Sequence, residues 1–202
     1  MSYNVPESRI EAVEAKTDAL GIAKTDFVQT VALSSLVPGL GTWTLAWGGL
    51  FNTAGLRRTP GNQTEWVYFE CPLTRRLTAN RGVKPTGLLI KYGVSVADPV
   101  NIRFITSRAK LRADNLNTDS TALGGDLDAH YDANHDTAAK RCASGAPARY
   151  HTATVTFPEN LQAYLLAGER IEIQAHVVPD VAGLADITVL GFDLLYTGQY
   201  ND

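Results

Sequence analysis

The sequence predicts an all-β protein: an eight-stranded antiparallel jelly-roll sandwich that follows a short N-terminal helical arm. Three observations predict this fold class. Eight segments carry strand-like alternation or strand-forming residues, turn signals separate them, and no clear helical period returns after Gly21. Strands without long intervening helices are typical of a sandwich or barrel, and eight strands are the natural count of a jelly roll.

The arm comprises residues 1–25, and its helix is predicted from the heptad-like spacing of four residues. Ser8 and Glu11 form a capping box before this run, and Gly21 is suited to end it. A helix this short is marginal in water by itself, so it needs a partner surface. We expect it to associate with itself or a neighbouring subunit; folding back on its own body is the alternative. The spaced residues are Ile10, Val13, Thr17 and Leu20.

The β domain is predicted to span residues 26–202. Residues 48–61, rich in Gly, Asn, Thr and Pro, are predicted to form a surface loop, and residues 158–167 a short helical turn. The eight predicted strands are 27–35, 42–47, 63–71, 86–96, 100–112, 149–157, 169–178 and 186–196.

A polar, Asp-rich insertion at residues 113–147 interrupts the strands. Alternating carboxylates at 126–136 resemble a calcium loop, but neither register of the EF-hand pattern has its required Gly and Glu. His130 and His135 are five residues apart, which does not fit the i, i+4 zinc pair on a helix. We therefore expect a solvated loop, with a metal site as the alternative.

The last strand is apolar on both faces, which predicts that both faces are covered. Ile187, Val189 and Leu195 would face one way and four residues the other; these four we assign to a subunit interface or to cover by the arm. The same argument applies to Trp66 and Tyr68, for which a crossover helix is the alternative cover. The four residues are Leu190, Phe192, Leu194 and Tyr196.

No motif identifies a reaction, so we expect no enzyme activity and no cofactor. The sequence has no nucleophile elbow, phosphate-binding loop or dinucleotide fingerprint. His151 and His176 lie on separate predicted strands and could meet in space. The net charge of −3 argues against nucleic acid as a partner, and no apolar stretch approaches a membrane span. Cys71 and Cys142 are expected to be free thiols.

The arm together with the stretches TGLLIKYGVSVADPVNIRF and LLAGERIEIQAHV resembles the jelly-roll proteins on the outside of tailed-phage particles, namely capsid decoration (cement) proteins and head or tail spikes. The resemblance implies a homo-oligomer, with a trimer favoured, that binds the major capsid protein or other virion proteins. It places the chain in a virion assembled in the host cytoplasm. The expected function is clamping neighbouring shell subunits. The alternative is a receptor- or carbohydrate-binding spike module that uses Trp66 and Tyr68 or the insertion.

Overall fold

The computed structural model describes residues 24–31, 36–38, 43–48, 53–58, 65–71, 80–95, 99–111, 118–144, 148–162, 165, 169–179 and 187–200. Residues 1–23 of the predicted arm, with Ile10, Val13, Thr17 and Leu20, lie outside these residues, so its helix and its partner stay predictions; residues 24 and 25 belong to the first strand.

The described residues form eleven strands, one short helix and two 3₁₀ turns. The strands are β1 Lys24–Val31, β2 Leu36–Pro38, β3 Trp43–Gly48, β4 Thr53–Arg58, β5 Glu65–Cys71, β6 Asn80–Ser95, β7 Asn101–Leu111, β8 Thr118–Gly124, β9 Ala148–Thr156, β10 Glu169–Val178 and β11 Ile187–Tyr200. The helix is α1, Ala138–Cys142, and the 3₁₀ turns are Asp128–His130 and Glu159–Leu161.

All described strand pairs are antiparallel and form two sheets, so the predicted all-β sandwich is confirmed. The six-stranded sheet has the order β3-β4-β11-β6-β9, with β1 also paired to β11, and the five-stranded sheet has the order β2-β5-β10-β7-β8. The eight consecutive strands β4 to β11 therefore divide into β4-β11-β6-β9 and β5-β10-β7-β8. This is the jelly-roll arrangement.

The core lies between the sheets and is built by strict alternation. Along β10, Ile171, Ile173 and Ala175 are fully buried while the residues between them are only half-buried. The sheets meet through aromatic rings: Phe104 of β7 contacts Phe192 of β11, with ring centroids 5.8 Å apart. Packing of this kind between two inner faces is what holds a β-sandwich together.

The structure corrects two loop predictions. Residues 53–58, predicted as part of a surface loop, form β4, in which Leu56 and Arg58 are fully buried. Residues 118–124, predicted as part of a polar insertion, form β8 and pair with β7. Both segments are rich in Thr, Gly or charged residues, so their burial depends on long-range pairing that local composition does not reveal.

The structure also corrects the face assignment in β11. Val189 pairs with Tyr92 and Gly191 pairs with Lys91, so Leu190 is an extra residue that forms a bulge. A bulge shifts the alternation by one position. Ile187 and Val189, before Leu190, therefore face the core together with Phe192 and Leu194, which follow it.

Phe192, Leu194 and Tyr196 are 1%, 0% and 8% exposed and belong to the hydrophobic core of this chain. Their assignment to a subunit interface was wrong, because the chain's own second sheet covers them. Leu190 stays half-buried on the bulge. The residues that face away from the core after the bulge are Asp193, Leu195 and Thr197.

Gly125 gives a test of the fold at the end of β8. Its φ is +86°, and a Cβ at this position would overlap the carbonyl oxygen of Phe104. We expect Gly125→Ala to lower the free energy of unfolding by about 1–3 kcal/mol, as for other left-handed residues in tight contact. Urea denaturation measures this change.

Gly191→Ala is the matched control, because a Cβ at Gly191 would meet no atom within 4 Å. We expect it to change the stability by no more than about 0.5 kcal/mol. Equal effects of the two substitutions would contradict the described backbone at Gly125.

Candidate functional site

The segment that joins β8 to β9 carries the chain from the five-stranded to the six-stranded sheet. We call residues 125–144 the crossover segment. The sequence predicted a solvated polar loop here, but Tyr131, His135, Arg141 and Cys142 are all buried. The segment is therefore packed structure at one end of the sandwich, and Cys142 is buried and in no disulfide bond, as predicted.

Tyr131 fixes the start of the crossover segment against both sheets. Its hydroxyl donates to the carbonyl oxygen of Gly125 at 3.0 Å and accepts from the backbone N–H of Phe104 at 2.8 Å. Its backbone forms a bridge to Val155 of β9. Burial raises the pKa of Tyr131 to about 12, so the hydroxyl keeps its proton and remains a donor.

Arg141 of helix α1 is fully buried, and all three guanidinium nitrogens have partners. Its Nε donates to the carbonyl oxygen of Ile102 at 2.7 Å, and Nη1 donates to that of His135 at 2.9 Å. Its Nη2 donates to Asp128 at 2.8 Å and to Asn101 at 3.2 Å. These bonds tie β7, the 3₁₀ turn and the middle of the crossover segment to one side chain.

Two tyrosines hold Arg141, one at its guanidinium and one at its backbone. The guanidinium carbon atom lies 4.4 Å from the ring centroid of Tyr131, within the range of a cation–π contact. The hydroxyl of Tyr92 donates to the carbonyl oxygen of Arg141 at 2.9 Å. Burial raises the pKa of Tyr92, which keeps this donor protonated.

Asp132 attaches the crossover segment to the outer edge of β9. Its backbone N–H donates to the carbonyl oxygen of Thr154, and its carboxylate accepts from the N–H of Thr154 at 2.7 Å. The N–H of Asn134 donates to the same carboxylate at 2.9 Å. Burial alone would raise the pKa of Asp132, but these hydrogen bonds and that from His135 outweigh it and lower the pKa.

Two histidine rings continue from Asp132 into the sandwich. His135 Nδ1 lies 2.9 Å from the Asp132 carboxylate, and its Nε2 lies 3.3 Å from Nδ1 of His151. Nε2 of His151 lies 2.8 Å from the carbonyl oxygen of Ala143. The His151 ring stacks on Tyr92 with centroids 4.7 Å apart.

The partners of these nitrogens assign their protons. A carbonyl oxygen only accepts, so Nε2 of His151 carries a proton and, in the neutral ring, Nδ1 is an acceptor. The carboxylate of Asp132 likewise only accepts, so Nδ1 of His135 carries a proton. Protein groups therefore close the row of contacts at both ends, Asp132 at one and the carbonyl oxygen of Ala143 at the other.

This arrangement does not suit proton transfer to a substrate. A general base needs a nitrogen within hydrogen-bond reach of the proton that it removes. All four nitrogens of His135 and His151 already have protein partners. The geometry instead supports a structural role for the pair, which joins the crossover segment to β9.

An open cleft lies between the crossover segment and the edge strand β9. It has a volume of about 420 Å³. Residues 133–135 and 140 line it on one side, and residues 149–152 on the other. Its described lining includes Lys140, Arg149 and both histidines of the pair but no carboxylate. Lys140 and Arg149 thus place a cation on each side of the cleft, in a chain whose net charge is −3.

A second candidate surface lies on the outer face of the six-stranded sheet. Val28 of β1 is 64% exposed and pairs directly with the half-buried Leu195 of β11. A polar row runs beside this pair, in which Asp193 accepts from Thr30 at 2.7 Å and from Lys91 at 3.3 Å. We call Val28 and Leu195 the apolar pair.

Trp66 and Tyr68 lie on β5, whose side chains are outside the described part of the structure. The register pairs them with His176 and Gln174 of β10, which alternate away from the core. Their predicted partner role therefore stays a prediction.

The two histidines that the sequence suggested could meet do not share a face. His151 points into the core from β9, whereas His176 lies on β10 between the core residues Ala175 and Val177. His151 instead meets His135, a residue that the sequence analysis weighed only as a metal ligand. Among the described residues, no group of three or more His, Cys, Asp and Glu side chains is placed to hold a metal ion.

Sequence reasoning missed Arg141 and the histidine pair. The sequence carries one signal for this site, a basic residue that follows the Asp-rich run at 126–136. Arg141 and Asp128 are 13 residues apart and form an ion pair at 2.8 Å, a spacing that no local period indicates.

Comparisons with known proteins leave the family open. No protein-family model and no curated protein matches this chain. Among solved structures, the chain is similar to the Clostridium thermocellum N-terminal endo-1,4-beta-D-xylanase 10B, CBM22-1–GH10 modules complexed with xylohexaose. The identity is 10% and the TM-score 0.31, and the match covers 88% of this chain and 28% of that chain. Likeness at this level supports no functional argument. The described residues include no helix of sufficient length and hydropathy to cross a membrane.

The histidine pair predicts how stability depends on pH. Burial, followed by the nearby charges of His135 and Arg149, outweighs the hydrogen bond to Ala143 and lowers the pKa of His151 below its ordinary value of 6.5. As the pH falls below 6.5, His151 binds a proton in the unfolded chain before it does so in the folded chain. The free energy of unfolding therefore falls as the pH falls. We expect the free energy of unfolding, measured by urea denaturation, to decrease from pH 7.5 to pH 5.

His151→Phe keeps a ring against Tyr92 but removes the titrating group. We expect this variant to be less stable at neutral pH and to have a flatter pH dependence between about pH 7 and pH 5. His176, whose pKa burial also lowers, keeps part of the dependence. A pH dependence as steep as that of the unaltered chain would contradict the shift assigned to His151.

Proposed function

We propose that this chain is a structural subunit of a tailed-phage particle, a capsid decoration protein that clamps neighbouring shell subunits. The main observation in support is the apolar pair on the outer face of the six-stranded sheet. Val28 leaves 64% of its surface in water, and Leu195 extends this apolar surface across the neighbouring strand. Exposed apolar surface is stabilised when another subunit covers it.

The place of this surface in the chain supports the same proposal. β1 begins at Lys24, at the end of the predicted arm (residues 1–25), and Val28 is the third residue after the arm. An arm and an apolar pair on adjoining residues would contribute to one continuous contact. Stable contacts between proteins bury about 1,600 Å² in total, so the apolar pair alone is too small and needs the arm.

Polar groups beside the apolar pair would give such a contact a defined orientation. Asp193 is held by Thr30 and Lys91, so its charge has a fixed position on the sheet face. Fixed charges around an apolar centre select the partner and the register more than they add affinity. The proposed partner is a second copy of this chain, with the shell subunits as the target of the assembled oligomer.

The alternative of a receptor- or carbohydrate-binding spike module through Trp66 and Tyr68 stays a prediction. Their cross-strand partners on β10, His176 and Gln174, are half-buried.

The apolar pair predicts an effect on oligomeric state. We expect the chain to form an oligomer, with a trimer favoured, and Val28→Asp to shift it toward the monomer because a buried, unpaired carboxylate is costly. Multi-angle light scattering measures the mass. Val100→Asp is the matched control, since Val100 is 59% exposed and lies outside the apolar pair. A monomeric unaltered chain, or equal behaviour of the two variants, would contradict the proposed interface.

The arm predicts an effect on particle binding. We expect a chain that lacks residues 1–23 to lose co-sedimentation with shells assembled from the major capsid protein of the same genome. Its far-ultraviolet circular dichroism should stay that of a β protein, because the jelly-roll strands begin after the deletion. Shell binding by the shortened chain would count against a clamping role of the arm, and the full chain's failure to bind shells would refute the decoration function.

A further inference from the structure

We propose that the cleft beside the crossover segment binds a saccharide that carries a carboxylate. This site is separate from the apolar pair, and the inference does not depend on the assembly function. The cleft volume of about 420 Å³ lies within the usual range of small-molecule sites.

Charge gives the first part of the argument. Arg149 is exposed and forms no ion pair with any described residue, although it stands in the lining of the cleft. Lys140, on the opposite side, has one partner carboxylate, that of Asp136 at 2.6 Å. Among the described residues of the lining there is no carboxylate, so Arg149 and Lys140 favour an anion.

The fixed position of the cleft walls gives the second part. The histidine pair and Asp132 hold the crossover segment to β9, so Asn134 and Thr152 face the same space from opposite sides. The backbone N–H and carbonyl of Thr154 point to Asp132 at the outer edge of β9. Backbone groups two residues apart in a strand point to the same side, so those of Thr152 point to this edge as well. Amide, hydroxyl and backbone groups of this kind are suited to the hydroxyls of a sugar.

Tyr150 gives the third part. Its side chain is 55% exposed and stands in the lining of the cleft, and it pairs across the sheet with Gly93. The exposed part of an aromatic ring packs well against the apolar C–H face of a pyranose ring. A simple inorganic anion would use Arg149 and Lys140 but would gain nothing from Tyr150.

The three features together identify the ligand class. A carboxylate pairs with Arg149, for which guanidinium geometry is well suited. The sugar hydroxyls match Asn134 and Thr152, and the ring face matches Tyr150. An extended peptide fits less well, because Asp132 already occupies the edge of β9 at Thr154.

The test uses the full chain and three probes: tri-galacturonic acid, the neutral galactotriose and inorganic phosphate. Binding is measured by isothermal titration calorimetry, and the site by ¹H–¹⁵N chemical-shift changes at residues 134 and 149–152. We expect tri-galacturonic acid to bind more tightly than the neutral sugar, with shifts confined to the cleft. Arg149→Gln and Tyr150→Ala should each weaken this binding by about tenfold, the effect of losing one good contact.

Lys110→Gln is the control, because Lys110 is an exposed cation on β7, outside the cleft lining. It should leave the affinity unchanged. Three results would each overturn the proposal: equal binding of the neutral and acidic sugars, phosphate binding as tight as that of the acidic sugar with no effect of Tyr150→Ala, or binding of none of the probes.

Discussion

The buried guanidinium of Arg141 is the interaction on which one end of this sandwich depends. A jelly roll must pass its chain from one sheet to the other, and here the crossover segment does so across the open end of the core. Burying a charge costs several kcal/mol unless hydrogen bonds and an opposite charge compensate it. Arg141 obtains both, from the carbonyl oxygens of Ile102 and His135 and from Asp128, whose side chain is 48% exposed. Moving any of these partners would leave part of a buried charge uncompensated.

This constraint extends to the cleft. Because Arg141 binds the carbonyl oxygen of His135, the ring of that residue is directed toward His151 rather than toward solvent. The pair then connects Asp132 to Ala143, so the walls of the cleft are fixed at both ends. A structural contact and a recognition surface therefore share the same residues, and a substitution that loosens the first also changes the shape and charge of the second.

The fold class could be predicted because alternation in β6, β7, β9 and β10 is strong and local. The eight predicted strands are not the eight strands of the jelly roll. The predicted set includes β1 and β3, which lie outside the jelly roll, and lacks β4 and β8, which belong to it. Gly55 and Arg57 make β4 resemble a loop, and only its pairing with β11 explains why Leu56 is buried. The histidine pair joins residues 16 positions apart, and Arg141 reaches Ile102 across 39 positions. No local pattern encodes contacts of this kind, so the candidate site could not be derived from the sequence.

Because Leu190 is an extra residue in β11, the side of the sheet that each later side chain faces depends on the length of this strand. Ile187 and Val189 reach the core before Leu190, and Phe192 and Leu194 reach it after, with three positions instead of two between Val189 and Phe192. Deleting Leu190 would restore an uninterrupted two-residue period and leave each of these side chains on its present side. Deleting a residue from the run between Phe192 and Tyr196 would invert the side chains on one side of the gap, exchanging apolar for polar groups in the core. Among homologous chains, length variation within β11 is therefore expected at this one position.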